Sequence, residues 1–409
     1  MRGVNHFFEA LGIGGAQGRT VKDVCRLTGI PLNRIRYYAD FNLIPTGSEL
    51  KAIRDNLGIT EEYLRIRMGR IDRSLLRKLQ AHANNIAEVV ADIHEIQPQS
   101  KDAPELAFRS ALGSLYKADC LDFLPTLKSD TVDVVFADPP FNLKKLYPSK
   151  IDDDLKVDQY LDWSHEWLLE CVRVLRPGGS LFLWNLPRWN SELADLLNQH
   201  LLFRHWIAVD IKYRLPIAGR LYPSHYSLLY YVKGQKPRAF HPDRLPMPTC
   251  PKCNGDLRDY GGYKKKMNPT GVNISDVWTD IPPVRHAKYK RRNGANELSL
   301  KLLDRVIELS SDEGDLILDP FGGSGTTYMA AELKERRWIG CEIGPCDDIV
   351  NRFGMVETER EILSNYRSRL NALFPPDILK KREKAGLWTP RSIGSAKDKA
   401  QRDLFRETS

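Results

Sequence analysis

Apolar segments of strand length alternate with amphipathic helical segments from about residue 110 to residue 375. Six segments fit buried strands, namely residues 132–137, 180–184, 206–212, 228–232, 316–319 and 338–343. Segments in which apolar residues recur at helical spacing lie between them, for example 158–175 and 297–310. This alternation predicts an α/β domain in which helices cover both faces of a mostly parallel sheet.

The alternation stops between residues 234 and 296, where Pro, Gly and Lys are frequent. This stretch is predicted to be a loop-rich insertion that separates two halves of the α/β domain, residues 105–233 and 297–375. A polar, basic tail follows at 376–409.

Apolar residues also recur at helical spacing upstream of the α/β domain, in residues 72–97. They predict one long amphipathic helix, which would act as a connector or as a dimer contact. Together with the polar linker that follows, this segment is assigned to residues 72–104.

Residues 1–71 are predicted to form a small all-α domain of short helices separated by Gly and Pro. The helices are expected at 21–28, 31–40, 49–56 and 61–68. Thr20, Ser48 and Thr60 are the expected N-caps of the first, third and fourth of these helices. A helix, a tight turn at Gly29 and a second helix form the helix-turn-helix pattern.

Two segments of this domain, TVKDVCRLTGIPLNRIRYY and PTGSELKAIRDNLGITEEYL, resemble the helix-turn-helix fold of Cro and repressor proteins. The resemblance implies that the helix at 31–40 is a recognition helix, which would present Asn33, Arg34 and Arg36 to DNA. The alternative is a small helical bundle that docks on the main domain or on a second subunit.

Composition and charge agree with a polyanionic partner but do not demand one. The chain has 409 residues, a formal net charge of +8 and a pI of about 9.0. No run approaches 18 consecutive apolar residues and the N-terminus lacks the features of a signal peptide, so a cytoplasmic protein without a membrane span is expected. The seven cysteines do not predict a disulfide framework.

The sequence LILDPFGGSGTT at 316–327 predicts a strand, a glycine-rich turn and the start of a helix. Glycine permits positive φ and a close approach of the backbone to a ligand, and a helix N-terminus offers free N–H groups. A nucleotide-like ligand is therefore expected here. The candidate contacts are Asp319, Phe321, Gly323, Ser324, Gly325, Thr326 and Thr327.

Glu342 lies at the carboxyl-terminal end of the next predicted strand, WIGCEI, at a spacing of about 20 residues from the glycine-rich turn. An acidic residue in this position is placed to accept hydrogen bonds from ribose hydroxyls.

The sequence VDVVFADPPFNL at 132–143 predicts an apolar strand that ends in Asp138. Pro139 and Pro140 remove backbone donors and stiffen the loop, which leaves the Asp138 carboxylate and the Pro139 carbonyl as fixed acceptors. An exocyclic NH₂ group has two donors that match them. Phe141 is expected to offer a flat face on which a base can stack.

These motifs resemble those of the DNA amino-methyltransferases. DPFGGSGTT resembles their cofactor loop, and DPPF resembles their catalytic (Asp/Asn/Ser)-Pro-Pro-(Tyr/Phe/Trp) loop, with Phe141 where Tyr is more common. The resemblance implies S-adenosylmethionine as the cofactor and a target base that leaves duplex DNA. Asp119, in LYKADCLDFL, matches an acidic position of the family near the cofactor's adenine.

The catalytic loop precedes the cofactor loop in this chain, which is the order of the beta group of the family. The resemblance implies a circularly permuted Rossmann-like sheet, with the target recognition region in the insertion at 234–296. Basic side chains there would neutralise phosphates, unless the insertion is only a solvated loop. They are Lys264, Lys265, Lys266, Lys288, Lys290, Arg291 and Arg292.

Cys250 and Cys253 form a single CxxC in the insertion, which supplies only two zinc ligands. A metal-free turn is favoured over a structural zinc site. No metal is expected in the chemical step, because the sulfonium of the cofactor already activates the methyl group.

Asp at the first loop position is more typical of adenine-N6 enzymes, so DNA adenine methylation is the first functional hypothesis. The alternatives are cytosine-N4 methylation, a helix-turn-helix regulator with an inactive methyltransferase domain, and an RNA or protein amine methyltransferase. Double-stranded DNA, a second copy of the chain and a cognate restriction endonuclease are the candidate partners.

Overall fold

The computed structural model describes residues 5–14, 18–91, 103–143, 154–210, 218–219, 221–245, 261–262, 271–282, 297–368, 376–387 and 389. They fall into two compact units. The first comprises described residues of Met1–Lys101, Asn142–Lys145 and Asp152–Glu166, and the second comprises the others from residue 102 onward.

Short helices build the N-terminal part of the first unit. They are α1 (His6–Ala10), α2 (Val21–Thr28), α3 (Leu32–Phe41), α4 (Gly47–Leu57), α5 (Glu61–Arg67), α6 (Arg73–Ala81) and α7 (Ala83–Ala91). The apolar faces of α1 to α5 meet in a core that includes Phe7, Leu11, Val24, Ile35, Ile53 and Leu64.

The helix starts of this unit follow local capping chemistry. Thr20 and Asp23 form a reciprocal capping box at the start of α2, and the Thr60 side chain accepts from the backbone of α5 as predicted. The predicted start of α4 is wrong, because the N-cap is Thr46 and not Ser48.

The prediction of one long helix at 72–97 is also wrong within the described residues. The helix breaks at His82, whose φ of −114° and ψ of 22° lie outside helical values, and α7 begins one residue later. No Gly or Pro marks this position, so the apolar spacing could not reveal the break.

A nine-stranded mixed sheet forms the centre of the second unit. Its strands in chain order are β1 (Glu105–Arg109), β2 (Gly113–Lys117), β3 (Val132–Ala137), β4 (Leu175–Asn185), β5 (Leu202–Asp210), β6 (His225–Val232), β9 (Val277–Trp278), β10 (Leu316–Asp319) and β11 (Arg337–Glu342). The spatial order is β1-β2-β11-β10-β3-β4-β6-β5-β9, and β7 (Arg244–Leu245) and β8 (Val272–Asn273) form a separate pair.

Five neighbouring strands, from β2 to β4 in the spatial order, run parallel, whereas β1 and β6 run antiparallel to their neighbours. The predicted α/β class is confirmed, with six predicted strands present at slightly different bounds. The helices and one 3₁₀ turn are α8 (Cys120–Phe123), Leu124–Thr126, α9 (Val157–Val174), α10 (Pro187–His200), α11 (Leu300–Ser310), α12 (Thr326–Leu333), α13 (Asp347–Phe353), α14 (Val356–Arg367) and α15 (Pro376–Lys384).

Strands β3 and β10 are neighbours in the sheet although almost 180 residues separate them in the chain. Val134 pairs with Ile317 and Val135 pairs with Leu318, so the carboxyl ends of both strands point to one edge. This adjacency brings the DPPF loop after β3 and the glycine-rich turn after β10 to the same edge of the sheet. No helix in the described part of the chain is long and apolar enough to cross a membrane.

Candidate active site

The loop Asp138–Phe141 leaves β3 at the carboxyl edge of the sheet. Asp138 and Pro140 are half-buried, and Pro139 is buried. The indole Nε1 of Trp189, in the first turn of α10, donates to the Phe141 carbonyl at 2.8 Å. The end of the loop is therefore fixed by a side chain from a different element, a contact that the sequence did not predict.

The ring of Phe141 lies in the core, where only 5% of the residue is exposed. Its centroid is 5.8 Å from that of Tyr226, and Tyr226 in turn lies 5.0 Å from Trp184. Phe141 thus anchors an aromatic cluster at this edge. The predicted stacking on a base would require one face of the Phe141 ring to be accessible outside this aromatic cluster.

The glycine-rich turn connects β10 to α12. Gly323 and Gly325 have φ values of 53° and 73°, a conformation that glycine adopts without strain. A Cβ on Gly325 would lie 2.8 Å from Cγ2 of Ile349, whereas a Cβ on Gly323 would meet only the Phe321 carbonyl at 3.8 Å. Gly325 is therefore needed for packing, while the turn at Gly323 leaves room for a ligand.

Asp319 ends β10 and is buried beneath this turn. Its Oδ1 accepts from the Phe321 N–H at 2.9 Å, and its Oδ2 accepts from the Thr327 hydroxyl at 2.5 Å. Burial raises the pKa of Asp319 to about 7, against the lowering effect of these hydrogen bonds. The carboxyl group ties both ends of the turn together.

Glu342 ends β11 next to the same turn. Its Oε2 accepts from the Gly323 N–H at 2.7 Å and its Oε1 accepts from the Gly344 N–H at 2.7 Å. The predicted ribose-binding carboxylate thus also shapes the glycine-rich turn.

Asp119 lies at the end of β2, where it caps α8 by accepting from the Leu121 N–H at 2.9 Å. Burial raises the pKa of the neighbouring Cys341 thiol, and the carboxylates of Asp319, Glu342 and Asp119 raise it further. The structure therefore brings the three predicted cofactor-site carboxylates together around one buried cysteine.

Arg352, on α13, is a further residue of this site that the sequence motifs did not indicate. Its Nη1 donates to the Ser324 carbonyl at 3.1 Å and to the Thr326 hydroxyl at 2.6 Å. Its Nε lies 3.1 Å from Oε1 of Glu359, and both side chains are almost fully buried. An isolated arginine outside any motif gives no sequence signal for this role.

The donor and acceptor groups at this edge fit S-adenosylmethionine. The cofactor carries a sulfonium, an ammonium group and a ribose diol, and clustered carboxylates attract cations and accept from hydroxyls. The open face of the turn at Gly323 gives room for the backbone to approach it. Glu342 and Asp119 are the residues that would face these groups, whereas Asp319 lies beneath the turn and would hold it in shape.

Comparisons with known proteins agree with this geometry. The sequence model of a DNA methylase family that covers N6 and N4 enzymes matches residues 132–349, which is more than half of the chain. The chain belongs to this family. The match includes both the DPPF loop and the glycine-rich turn, so the methyltransferase is a DNA-modifying enzyme that uses S-adenosylmethionine.

Among curated proteins, the chain is 46% identical over 362 residues to the type II methyltransferase M.BamHI of Bacillus amyloliquefaciens, covering 86% of this chain and 84% of that protein. It is 31% identical over 245 residues to the DNA adenine methyltransferase YhdJ of Escherichia coli K12, covering 58% and 80%. Among solved structures, the cytosine-N4-specific PvuII DNA methyltransferase matches 64% of this chain and 95% of its own, at 17% identity and a TM-score of 0.46.

The candidate DNA contacts of the first unit differ in their surroundings. Asn33 and Arg36 are exposed on α3. The guanidinium of Arg34 is paired with the Glu49 carboxylate at 2.8 Å and donates to the Tyr38 hydroxyl at 2.6 Å, so it holds α3 against α4. A contact of Arg34 with a phosphate would compete with this pairing.

The other candidate contacts lie outside the described residues. They are Lys264, Lys265, Lys266, Lys288, Lys290, Arg291 and Arg292, together with the possible zinc ligands Cys250 and Cys253. Within the described residues, no group of three or more His, Cys, Asp or Glu side chains is arranged to hold a metal ion.

Proposed function

We propose that this methyltransferase modifies the exocyclic amine of a base rotated out of duplex DNA, with Asp138–Phe141 as its catalytic loop. The observation that carries the proposal is the pairing of β3 with β10. It brings the DPPF loop, with its acceptors for an amine, beside the turn that fits the methyl donor. Adenine N6 is the first candidate acceptor, because Asp at the first loop position is more typical of adenine enzymes.

The chemistry assigned to the loop is positioning of the amine. The Asp138 carboxylate and the Pro139 carbonyl would each accept one N–H of the NH₂ group, which turns the nitrogen lone pair toward the cofactor. When bound, S-adenosylmethionine supplies a methyl group activated by its sulfonium. The negative charge of Asp138 also stabilises the amine as it gains positive charge.

Cofactor binding is assigned to the second set of carboxylates. Glu342 would accept from the ribose hydroxyls and Asp119 would favour the cationic groups, while Asp319 would hold the turn through its bonds to Phe321 and Thr327. Arg352 would act indirectly, by holding the backbone of the turn.

The Asp138→Ala variant tests the catalytic assignment. It is expected to lower methyl transfer to plasmid DNA by at least 1000-fold, while the affinity for S-adenosylmethionine, measured by calorimetry, stays within threefold of wild type. Asp195→Ala, an exposed aspartate on α10, is the matched control. Unchanged transfer by Asp138→Ala would overturn the role of the loop.

Cytosine N4 is the second candidate acceptor, because its NH₂ group presents the same two donors to the same two loop acceptors. Mass spectrometry of nucleosides from DNA incubated with the enzyme separates the two. N6-methyladenine supports the first candidate, and N4-methylcytosine without N6-methyladenine replaces it by the second. A product on neither base would favour a regulator with an inactive domain, or an RNA or protein amine as substrate.

DNA recognition is assigned to the insertion at 234–296 and, secondarily, to Asn33 and Arg36 on α3. The names of M.BamHI and of the M.HpaI methyltransferase of Haemophilus parainfluenzae as type II enzymes favour a restriction–modification role with a cognate endonuclease.

Removal of residues 1–71 tests the contribution of the N-terminal domain to DNA binding. If the domain contacts DNA, its removal should weaken DNA binding in a gel-shift assay. If it only docks on protein, its removal should leave DNA binding unchanged. A homodimer predicts twice the chain mass in light scattering.

A further inference from the structure

Arg305, on α11, is a buried arginine that contacts three residues of the insertion. Its side chain is 1% exposed, and its Nη1 and Nη2 donate to Oδ1 and Oδ2 of Asp280 at 2.9 and 2.7 Å. Its Nε lies 3.5 Å from Oδ2 of Asp243, and its guanidinium carbon lies 4.9 Å from the centre of the Trp278 ring. One guanidinium therefore combines a bidentate ion pair, a second carboxylate and a cation–π contact.

The three contacted residues belong to two described stretches of the insertion, 234–245 and 271–282. Asp243 comes directly before β7, Trp278 ends β9 and Asp280 follows two residues later. The pairing of β7 with β8 joins the two stretches to each other, and the pairing of β9 with β5 joins the second stretch to the edge of the sheet. Arg305 connects both stretches to α11, in the cofactor half of the domain.

The burial of Arg305 favours this arrangement over others. Within the described part of the chain, both carboxylates that pair with Arg305 come from the insertion. Burial alone would raise the pKa of Asp280, but hydrogen bonds from Arg305 and Lys301 hold it below its ordinary value, so the carboxylate is ionised in the pair. Because a buried guanidinium without a partner is costly, we expect the pairing to restrict where the insertion sits.

We propose that Arg305 is a positioning residue for DNA recognition, which holds the insertion in one place relative to the cofactor half. The inference rests on the proposed function, in which the insertion reads the DNA. The contacts that shape the glycine-rich turn come from other residues, Asp319, Glu342 and Arg352. Loss of Arg305 should therefore weaken the productive binding of DNA and leave the binding of the cofactor unchanged.

Steady-state methylation of plasmid DNA and calorimetric binding of S-adenosylmethionine test this role together. Arg305→Met removes the cation and keeps a long apolar side chain, and Asp280→Ala breaks the bidentate pair from the side of the insertion. Arg305→Lys keeps the charge. Lys334→Met is the matched control, because the 10% exposed side chain of Lys334 pairs with Asp304 and Glu308 of the same helix and with no insertion residue among those described.

We expect Arg305→Met to raise the KM for plasmid DNA at least tenfold and Asp280→Ala at least fivefold. In both variants, kcat and the Kd for S-adenosylmethionine should stay within threefold of wild type. Arg305→Lys should keep the KM within fivefold of wild type, because an ammonium still pairs with a carboxylate but lacks the bidentate geometry. Lys334→Met should lose stability in denaturant unfolding, as Arg305→Met does, but keep the KM within threefold.

Each variant is measured at a temperature where circular dichroism shows it to be folded. If Arg305→Met does not fold, Asp280→Ala decides the outcome, since the Asp280 side chain is 42% exposed. An unchanged KM in Arg305→Met or Asp280→Ala, an equal rise in Lys334→Met, or an equal loss of cofactor affinity would overturn the inference and leave the proposed function intact. A wild-type enzyme that methylates no DNA would instead refute the proposed function.

Discussion

Arg352 joins the turn that fits the methyl donor to a buried ion pair, and two substitutions separate these contacts. Arg352→Gln removes the bonds to Ser324 and Thr326 together with the pairing to Glu359. Glu359→Gln removes the pairing alone and leaves the arginine in reach of the turn. The difference between the two variants therefore reports what Arg352 does for the turn.

The magnitudes follow from burial. Arg352 and Glu359 are 4% and 2% exposed, and the loss of one partner of a buried ion pair costs about 3–5 kcal/mol because the other charge stays buried. Both single variants should lose stability in this range. The hydrogen bonds from the guanidinium to the turn are each worth about 1.5–3 kcal/mol, so their loss is expected to weaken S-adenosylmethionine binding at least tenfold in Arg352→Gln only.

Denaturant unfolding and calorimetric titration of S-adenosylmethionine measure the two effects independently. Glu359→Gln should bind the cofactor within threefold of wild type, at a temperature where each variant is folded by circular dichroism. The double variant Arg352→Gln/Glu359→Gln should regain part of the lost stability, since no charge remains buried, but not the cofactor affinity. Equal losses of affinity in both single variants would refute a specific role of Arg352 at the turn.

Three further substitutions address the catalytic edge. The pKa of Asp319 is about 7 in the folded protein, against its ordinary value of 3.8. Its contribution to the free energy of unfolding is therefore complete below pH 4 and declines by up to about 4 kcal/mol as the pH rises to 7. Asp319→Asn should remove this slope from the pH dependence of the free energy of unfolding, and an unchanged slope would contradict the assignment. Glu342→Gln should weaken S-adenosylmethionine binding about tenfold in calorimetry, since the turn and the ribose lose a charged acceptor. Trp189→Phe, which keeps a smaller aromatic ring but loses the donor to the Phe141 carbonyl, should lower kcat about tenfold while the cofactor affinity stays unchanged. A loss of affinity without a loss of kcat would contradict it.

The parts of the site that follow a strand end were predictable from sequence. Asp138, Asp319 and Glu342 each end an apolar run, and the carboxyl ends of parallel strands share one edge of a sheet. The period of the apolar pattern therefore placed all three residues at that edge without any knowledge of the contacts between them.

Contacts between elements distant in sequence were not predictable. The stacking of Phe141 on a base stays a prediction, but no feature of the sequence indicated that Tyr226, 85 residues later, packs against the ring. The contact of Arg34 with DNA also stays a prediction, but the sequence did not reveal its pairing with Glu49 on the next helix. In both cases a local pattern identified the element correctly, and tertiary packing decided what the side chain contacts.

The carboxylates of the second unit are arranged to suit the cofactor. The chain is basic overall, yet the ends of β2, β10 and β11 bring together Asp119, Asp319 and Glu342. This cluster repels a polyanion and favours the cationic sulfonium and ammonium of the cofactor. The cofactor is therefore expected on the β10–β11 side of the catalytic loop, and DNA away from it. Asp138 follows β3, the strand between β10 and β4, where an amine of the DNA has to meet the methyl group of the cofactor.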